Sequence, residues 1–409
     1  MEQLKILAQN TVMQNRDSLH SYFGWPTVAR LQDGRLAAVA SGFRRTHVCP
    51  FGKAVISYSE DGGRTWSAPS PIIDTPLDDR DAGILPFGEN SVIVTSFNNS
   101  VEFQRTWLGW RKNNLADMPE GLEKEREKAD IAYCLAYLDL LELSCGDESG
   151  VGDSGYRAGG LPKDHEGYYG STFRISHDGA RSFGDVHYSP VTSPHGPLVT
   201  KDGRLLYVGN PMADIVRKAA DPRLRLCEIF PDGTVKELCI IPSPVNEEGY
   251  RLSFAGEPHA IELQDGSILV HIRTEGTVNG QKIFTIYQTI STDGGKTFPV
   301  PTLVPVTPDT AQGVDLLTVG APPHILRHSS GALISVVGVR TAPFGVRALI
   351  SRNEGESWDL YSLIPKAANL DLGYPATAEL EDGTLYTVYY EHTDSTRPAT
   401  IEGVHWEMP

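Results

Sequence analysis

Trp25, Asp81, His195, Glu257 with His259, His324 and Tyr374 hold the same place in six recurring stretches of this chain, each just ahead of an alternating apolar run. Carboxyl, imidazole, phenol and indole groups move protons, attack carbon or line a ligand pocket. A purely structural repeat is expected to reuse one residue at such a point. Any one of the histidines, taken alone, reads as a satisfied structural side chain; six differing polar or aromatic heads together point to a pocket. The far ends of the same hairpins carry Arg44, Arg45, Arg273 and Arg340, with Arg80 and Arg347 nearby. Clustered guanidiniums in a chain of net charge −16 fit an anionic substrate, most simply a carboxylate held bidentately. The alternative for each arginine is a surface ion pair with a neighbouring Asp or Glu.

The elements that position these residues are hairpins. In Ala255 to Arg273 a polar head leads into an apolar strand, an Asp265-Gly266 turn and a second apolar strand that ends on arginine. Alternation on both sides of Asp-Gly is the strongest short-range hairpin signal. The pattern recurs after Gly24-Trp25-Pro26 with its turn at Asp33-Gly34, after Pro194-His195-Gly196 at Asp202-Gly203, and after Pro323-His324 near Gly331. It returns after Gly373-Tyr374-Pro375 at Asp382-Gly383, and more weakly after Asp81 near Gly88. A second repeat interleaves with the first. Ser59-Glu-Asp61-Gly-Gly-Arg-Thr-Trp66 recurs at Ser176–Phe183, at Ser291–Phe298 and, degraded, at Ser351–Trp358. Its Ser and Asp are suited to bonding local backbone and its glycines to positive φ, so it is read as structural.

Two hairpins per unit and six units predict an all-β fold, a six-bladed β-propeller forming one domain over 1–409. The last unit has only one clear hairpin and a following strand, so a strand near Lys5 to Val12 is expected to complete it. A β-sandwich accounts for the alternation but not for the regular return of the heads. From about Thr106 to Leu143 the pattern turns helical, and the Gly-rich run from Gly146 to Gly170 reads as loop. Residues 106–170 are therefore expected to be a helical and loop insertion in the second blade. Its expected role is that of a packed appendage or a homo-oligomer (dimer) contact, or else of a lid over the pocket.

Composition sets the outer limits. With 40% hydrophobic and 22% charged residues the chain is globular, and its acidity argues against nucleic acid or an anionic membrane as partner. Met1 to Asn10 has no basic and apolar leader pattern, and no run approaches the roughly 18 apolar residues of a membrane span; a cytoplasmic location is expected. Five cysteines without a CxxC pair are expected to be reduced core thiols. No spacing asks for a metal or a cofactor.

The Ser-x-Asp-x-Gly-x-Thr-Trp turns resemble the Asp-box (BNR) repeats of the sialidase, or neuraminidase, superfamily, over nearly the whole chain apart from the insertion. Glu257-Pro-His-Ala-Ile-Glu-Leu-Gln-Asp-Gly through Arg273 is similar to the strand pair that carries the family's catalytic Glu and one carboxylate-binding Arg. Gly373-Tyr374-Pro375 through Tyr389-Tyr390-Glu391 is similar to the closing blade that presents the catalytic Tyr, and Arg340 falls at the place of a further triad arginine. The resemblance implies an exo-glycosidase acting with retention on a terminal acidic sugar, sialic acid or a relative. A neutral phenol, Tyr374, attacks beside the substrate carboxylate, where an anionic nucleophile would be repelled, and Glu257 takes its proton.

The family's Arg-Ile-Pro signature reads Gly24-Trp25-Pro26 here, and the loop from Arg44 to Lys53 lacks the acid/base Asp. Arg44 or Arg45 is the candidate for the missing charge; Asp81 or His47 is the candidate acid. His195, His259 and His324, taken with the arginines as substrate-binding residues, also leave open a lyase or His-assisted glycosidase acting on a uronate-linked sugar. A sugar-binding propeller without catalysis is the third reading.

Overall fold

The computed structural model describes residues 1–145, 169–212, 221–245, 250–278, 280–392 and 398–409. Apolar alternation and tight glycine turns fold the chain into six mainly antiparallel sheets. The sheets follow one another in sequence as the blades of a six-bladed β-propeller. The first blade runs through Tyr22–Arg30, Leu36–Arg44, Lys53–Ser59 and Ser70–Ile73, the second from Asp78–Phe87 to His187–Ser189, and the third from Val191–Thr192 to Val235–Ile240. The fourth opens on Tyr250–Glu262, the fifth on Pro323–Arg327 and the sixth on Gly373–Glu379. Ile6–Met13, from the start of the chain, pairs antiparallel with Ala399–Trp406 and supplies the fourth strand of the sixth blade. The ring is closed by hydrogen bonds between the two ends of the polypeptide, as the missing second hairpin required.

The hydrophobic core lies between blades. Trp25, Val28 and Leu36 of the first blade meet Tyr374, Ala376 and Val388 of the sixth, and Leu269 and Ile286 of the fourth meet Val337 and Trp358 of the fifth. The inner strands are thereby held side by side around the central channel.

The Ser-x-Asp turns fasten the third strand to the fourth. Ser59 Oγ donates to Asp61 at 2.8 Å and accepts from Gly63 N at 2.9 Å, while Asp61 accepts from Thr65 N and Oγ1 at 2.9 and 2.7 Å. The same bonds recur around Asp178 and Asp293, and Asn353 reproduces part of them in the degraded copy.

Two helices, α1 (Val101–Asn114) and α2 (Leu122–Cys145), lie between the second and third strands of the second blade. Ser100 caps α1 by accepting from Phe103 N at 3.1 Å, so the helix begins before the charged stretch that signals it in the sequence. Leu108, Ile131, Cys134 and Leu138 pack the pair together. Phe51 against Tyr133 and Tyr137 fixes them to the loop that follows the second strand of the first blade. Most of the Gly-rich run from Gly146 to Gly170 falls outside the described residues. The described cysteines Cys49, Cys134, Cys227 and Cys239 are free thiols. No described helix is long and apolar enough to cross a membrane.

Candidate active site

Four inner strands carry the same distortion near their start. Pairing with the second strand slips between Gly24 and Thr27, Arg80 and Gly83, Gly256 and His259, and Gly373 and Ala376. Within each slip one non-glycine residue takes positive φ: Trp25 at 56°, Asp81 at 30°, Glu257 at 43° and Tyr374 at 48°. A bulge leaves one residue out of the ladder and re-aims its side chain. A non-glycine residue held in that region costs on the order of 1–3 kcal/mol, a cost that packing between blades must offset. The sequence permits the geometry because glycine stands beside each bulge. A Cβ on Gly256 would lie 2.6 Å from Asn210 Nδ2, and Asn210 Oδ1 accepts the Glu257 N–H at 2.7 Å.

The bulges bring together residues 117 positions apart in the chain. Tyr374 Oη donates to the Glu257 carboxylate, 2.8 Å from each oxygen. Arg273 Nη1 donates both to Glu257 and to Tyr374 Oη, the latter at 2.8 Å. Its other edge is bound by Glu275. Burial, and next the Glu257 charge, push the Tyr374 phenol well above its ordinary pKa, with Arg273 opposing. The phenol is therefore protonated at rest, with a base in contact and a cation on its oxygen.

Five further guanidiniums differ in their fates. Arg340 donates through Nε to Leu372 O at 2.9 Å and through Nη2 to Tyr390 Oη at 2.8 Å, and lies 5.4 Å from the Tyr374 ring. It meets no carboxylate among the described residues. Arg80 donates to His47 O at 2.8 Å and sits 4.0 Å over the Trp25 ring, with Asp78 and Asp81 at 3.7 and 3.8 Å. Arg44 is wholly buried, in an ion pair with Asp78 at 2.6 Å and 5.1 Å from Trp25. Trp25 thus holds the first head itself, with two arginines packed against its ring. Arg45 turns outward to Asp130 of α2 and to the Tyr133 ring. Arg347 donates to Thr318 O and Val319 O.

Asp81 is 4% exposed. Burial pushes its carboxyl up to about 7 against the pull of Arg80, and Glu257 adds to the rise. His47 stands on the loop after Arg44. Its Nδ1 is 3.0 Å from Asp371 Oδ1 and 3.1 Å from Tyr22 Oη, and its ring meets the Trp25 indole edge-on at 4.8 Å. Asp371 also accepts from Tyr22 Oη at 2.9 Å, Tyr390 Oη at 3.0 Å and His392 Nε2 at 2.9 Å. Burial works to raise the Asp371 carboxyl, but the bonds from His392, His47 and Tyr22 outweigh it and hold the group far below the usual carboxylate range. Asp371, Tyr22 and His392 escaped the sequence reading because none is a head residue or belongs to a repeat. The only local signal is that Asp371 stands three residues before Tyr374.

The three channel histidines form a separate group, one layer deeper. His259 and His324 stack at 4.5 Å, with His195 edge-on to both at 5.9 and 5.2 Å and 6.3 Å from the Tyr374 ring. His259 Nδ1 accepts from Ile325 N at 2.9 Å, His324 Nδ1 from Thr377 N at 3.3 Å, and His195 Nδ1 meets Thr27 Oγ1 at 3.1 Å. Each bond joins two blades. Burial pushes all three imidazoles down, His259 to about 3, so they are neutral. With Val28, Leu198 and Ile325 they line a cavity of about 330 Å³ toward the other end of the channel.

No family model and no curated protein sequence matches this chain. Solved structures do. A protein of unknown function from Dyadobacter fermentans is similar over 100% of both chains at 18% identity, with a TM-score of 0.66. The intramolecular trans-sialidase from Ruminococcus gnavus, in complex with oseltamivir carboxylate, is similar over 99% of this chain and 98% of its own, at 13% identity and a TM-score of 0.59. The α-L-arabinanase of Penicillium chrysogenum, complexed with arabinobiose, is similar over 97% and 98% of the two chains, at 14% identity and a TM-score of 0.58. What the chain shares with these structures is the propeller fold. At these identities the likeness speaks for the fold, and the site must speak for the chemistry.

Proposed function

We propose that this protein is a retaining exo-glycosidase that releases a terminal acidic sugar, sialic acid or a close relative. The observation that carries the reading is the Tyr374–Glu257–Arg273 cluster. Tyr374 Oη attacks the anomeric carbon as its proton passes to Glu257 across 2.8 Å, and Arg273, on the same oxygen, steadies the negative charge as the O–H bond breaks. The bond to the leaving group breaks with a proton supplied by Asp81 or His47, the candidate acids. Water then displaces the phenolate, which takes its proton back from Glu257, and two inversions give retention. Arg340, without a carboxylate partner among the described residues, and Arg80 are assigned to the sugar's anionic group; a hydrogen bond to a charged partner contributes about 1.5–3 kcal/mol.

Turnover of a panel of aryl glycosides of acidic sugars, with the product anomer followed by proton NMR, tests the reading. Release of the α-anomer from an aryl α-sialoside is expected. A product absorbing in the near ultraviolet would instead identify a lyase acting on a uronate. Binding without turnover across the panel would leave a sugar-binding propeller.

A further inference from the structure

We propose that His47 is the general acid and base of this site and that Asp371, between the fifth and sixth blades, is its positioning residue. This rests on the reading of Tyr374 as nucleophile. His47 is a loop residue held at three points. Its carbonyl accepts from both Arg80 Nη1 at 2.8 Å and Arg44 Nη2 at 3.1 Å, its Nδ1 meets Asp371 at 3.0 Å, and its ring edge lies against Trp25. A loop side chain fixed this firmly is pre-organised. Asp371 accepts the Nδ1 proton, which leaves Nε2 as the nitrogen that titrates. Nε2 has no partner among the described residues, and the side chain is 42% exposed. A proton donor must reach an oxygen whose departing half leaves into solvent, and His47 meets that requirement. Asp81, 4% exposed and 3.8 Å from Arg80, does not.

In the first step the Nε2 proton passes to the glycosidic oxygen as its bond to the anomeric carbon breaks, and the Tyr374 oxygen forms the new bond. In the second, Nε2 takes a proton from the attacking water as the bond to Tyr374 breaks. The charged groups facing His47 are Asp371, Arg80 and Arg340, with Tyr22 and Tyr390 sharing Asp371. Burial, Arg80 and Arg340 lower the imidazole while Asp371 raises it, and the net direction is down. An anionic sugar neutralising the two arginines therefore favours the protonated ring, which ties arming of the acid to substrate binding.

The test compares a 4-nitrophenyl α-sialoside, whose leaving group needs no proton, with an α-sialyl alkyl glycoside, whose leaving group does. His47→Gln is expected to lose at least about a hundredfold in kcat/KM, which reports the first step, on the alkyl glycoside and under about tenfold on the nitrophenyl one. It is also expected to lose the alkaline limb of the kcat/KM profile. Equal losses on both substrates, or an unchanged limb, would overturn the assignment, as would the same leaving-group dependence in Asp81→Asn. Asp371→Asn is expected to move the alkaline limb to lower pH, because the charge that raises the imidazole is gone; an unmoved limb excludes Asp371 from the role. Tyr374→Phe is expected to be inactive on both substrates, so the nucleophile and the acid fail in distinguishable ways. If wild-type protein turns over neither sialoside, both readings fall.

Discussion

Tyr374 Oη stands 2.8 Å from both oxygens of Glu257, although the two residues belong to different blades and each occupies a bulge with positive φ. Tyr374→Phe removes the attacking oxygen and Glu257→Gln the base. Each is expected to lower kcat by at least about a thousandfold, since neither step has a substitute in the site. Thermal unfolding monitored beside the kinetics is expected to show that the propeller survives. Turnover within tenfold of wild type in either variant excludes the mechanism.

Arg340 has no carboxylate partner among the described residues, and its place beside Tyr374 suits a substrate anion. Arg340→Gln is expected to reduce kcat/KM on an acidic glycoside by about 1.5–3 kcal/mol, roughly ten- to 150-fold. The loss should shrink severalfold on the methyl ester of the same substrate. Equal losses on acid and ester would mean that Arg340 only supports Leu372 and Tyr390.

The Ser-x-Asp turns predict how stability depends on pH. Burial works to raise the Asp61 carboxyl, but bonds from Thr65 and Ser59 together outweigh it and bring the group down from 3.8 to about 2. Asp178 and Asp293 are held lower still by bonds from Ser182 and Thr297 respectively. A carboxyl depressed in the folded state contributes stability that is present above its unfolded pKa and lost as pH falls through the folded one. The melting temperature is therefore expected to fall from about pH 4 toward pH 2. A triple Asp61, Asp178, Asp293→Asn variant should show a shallower fall over that window, because Asn353 makes the corresponding bonds to Ser351 and Ser357 without titrating. Parallel profiles would show that other carboxylates govern the acid transition.

Arg44 and Asp78 are both wholly buried and 2.6 Å apart, and Asp78 also accepts from Asn99 and Gln104 at 3.0 and 2.8 Å. Arg44→Met leaves that carboxylate without its counter-ion and is expected to cost about 3–5 kcal/mol in urea unfolding. A cost below 1 kcal/mol would mean that the pair adds nothing beyond packing under Trp25.

Much of the fold was legible because its signals are local. An Asp-Gly pair between alternating runs fixes a hairpin without reference to the rest of the chain, and four such hairpins with two copies that turn at Gly88 and Gly331 left one strand to find, which Ile6–Met13 supplied. The heads were legible as a set because repetition made their differences visible. The start of α1 was less so, since Val101–Arg105 owes its helix to the Ser100 cap and to packing rather than to a charge pattern. Asp371 was not legible at all. An aspartate in a connection between blades carries no period and no motif, and only the closed ring brings Tyr22 from the first blade and His392 from the sixth to its oxygens.

The sequence by itself determined the strands, the turns, the number of blades and which residues head them, because each depends on neighbours a few positions away. Only the tertiary structure decided which charges are spent on the protein and which are left for a ligand. Arg44, Arg45, Arg80 and Arg340 are the same side chain in the sequence. Closure of the ring buries Arg44 on Asp78, turns Arg45 to α2, lays Arg80 over Trp25 and leaves Arg340 beside Tyr374 without a carboxylate partner among the described residues. A guanidinium acts through what lies within a few ångströms of it, and for residues this far apart in sequence that distance is set by the fold.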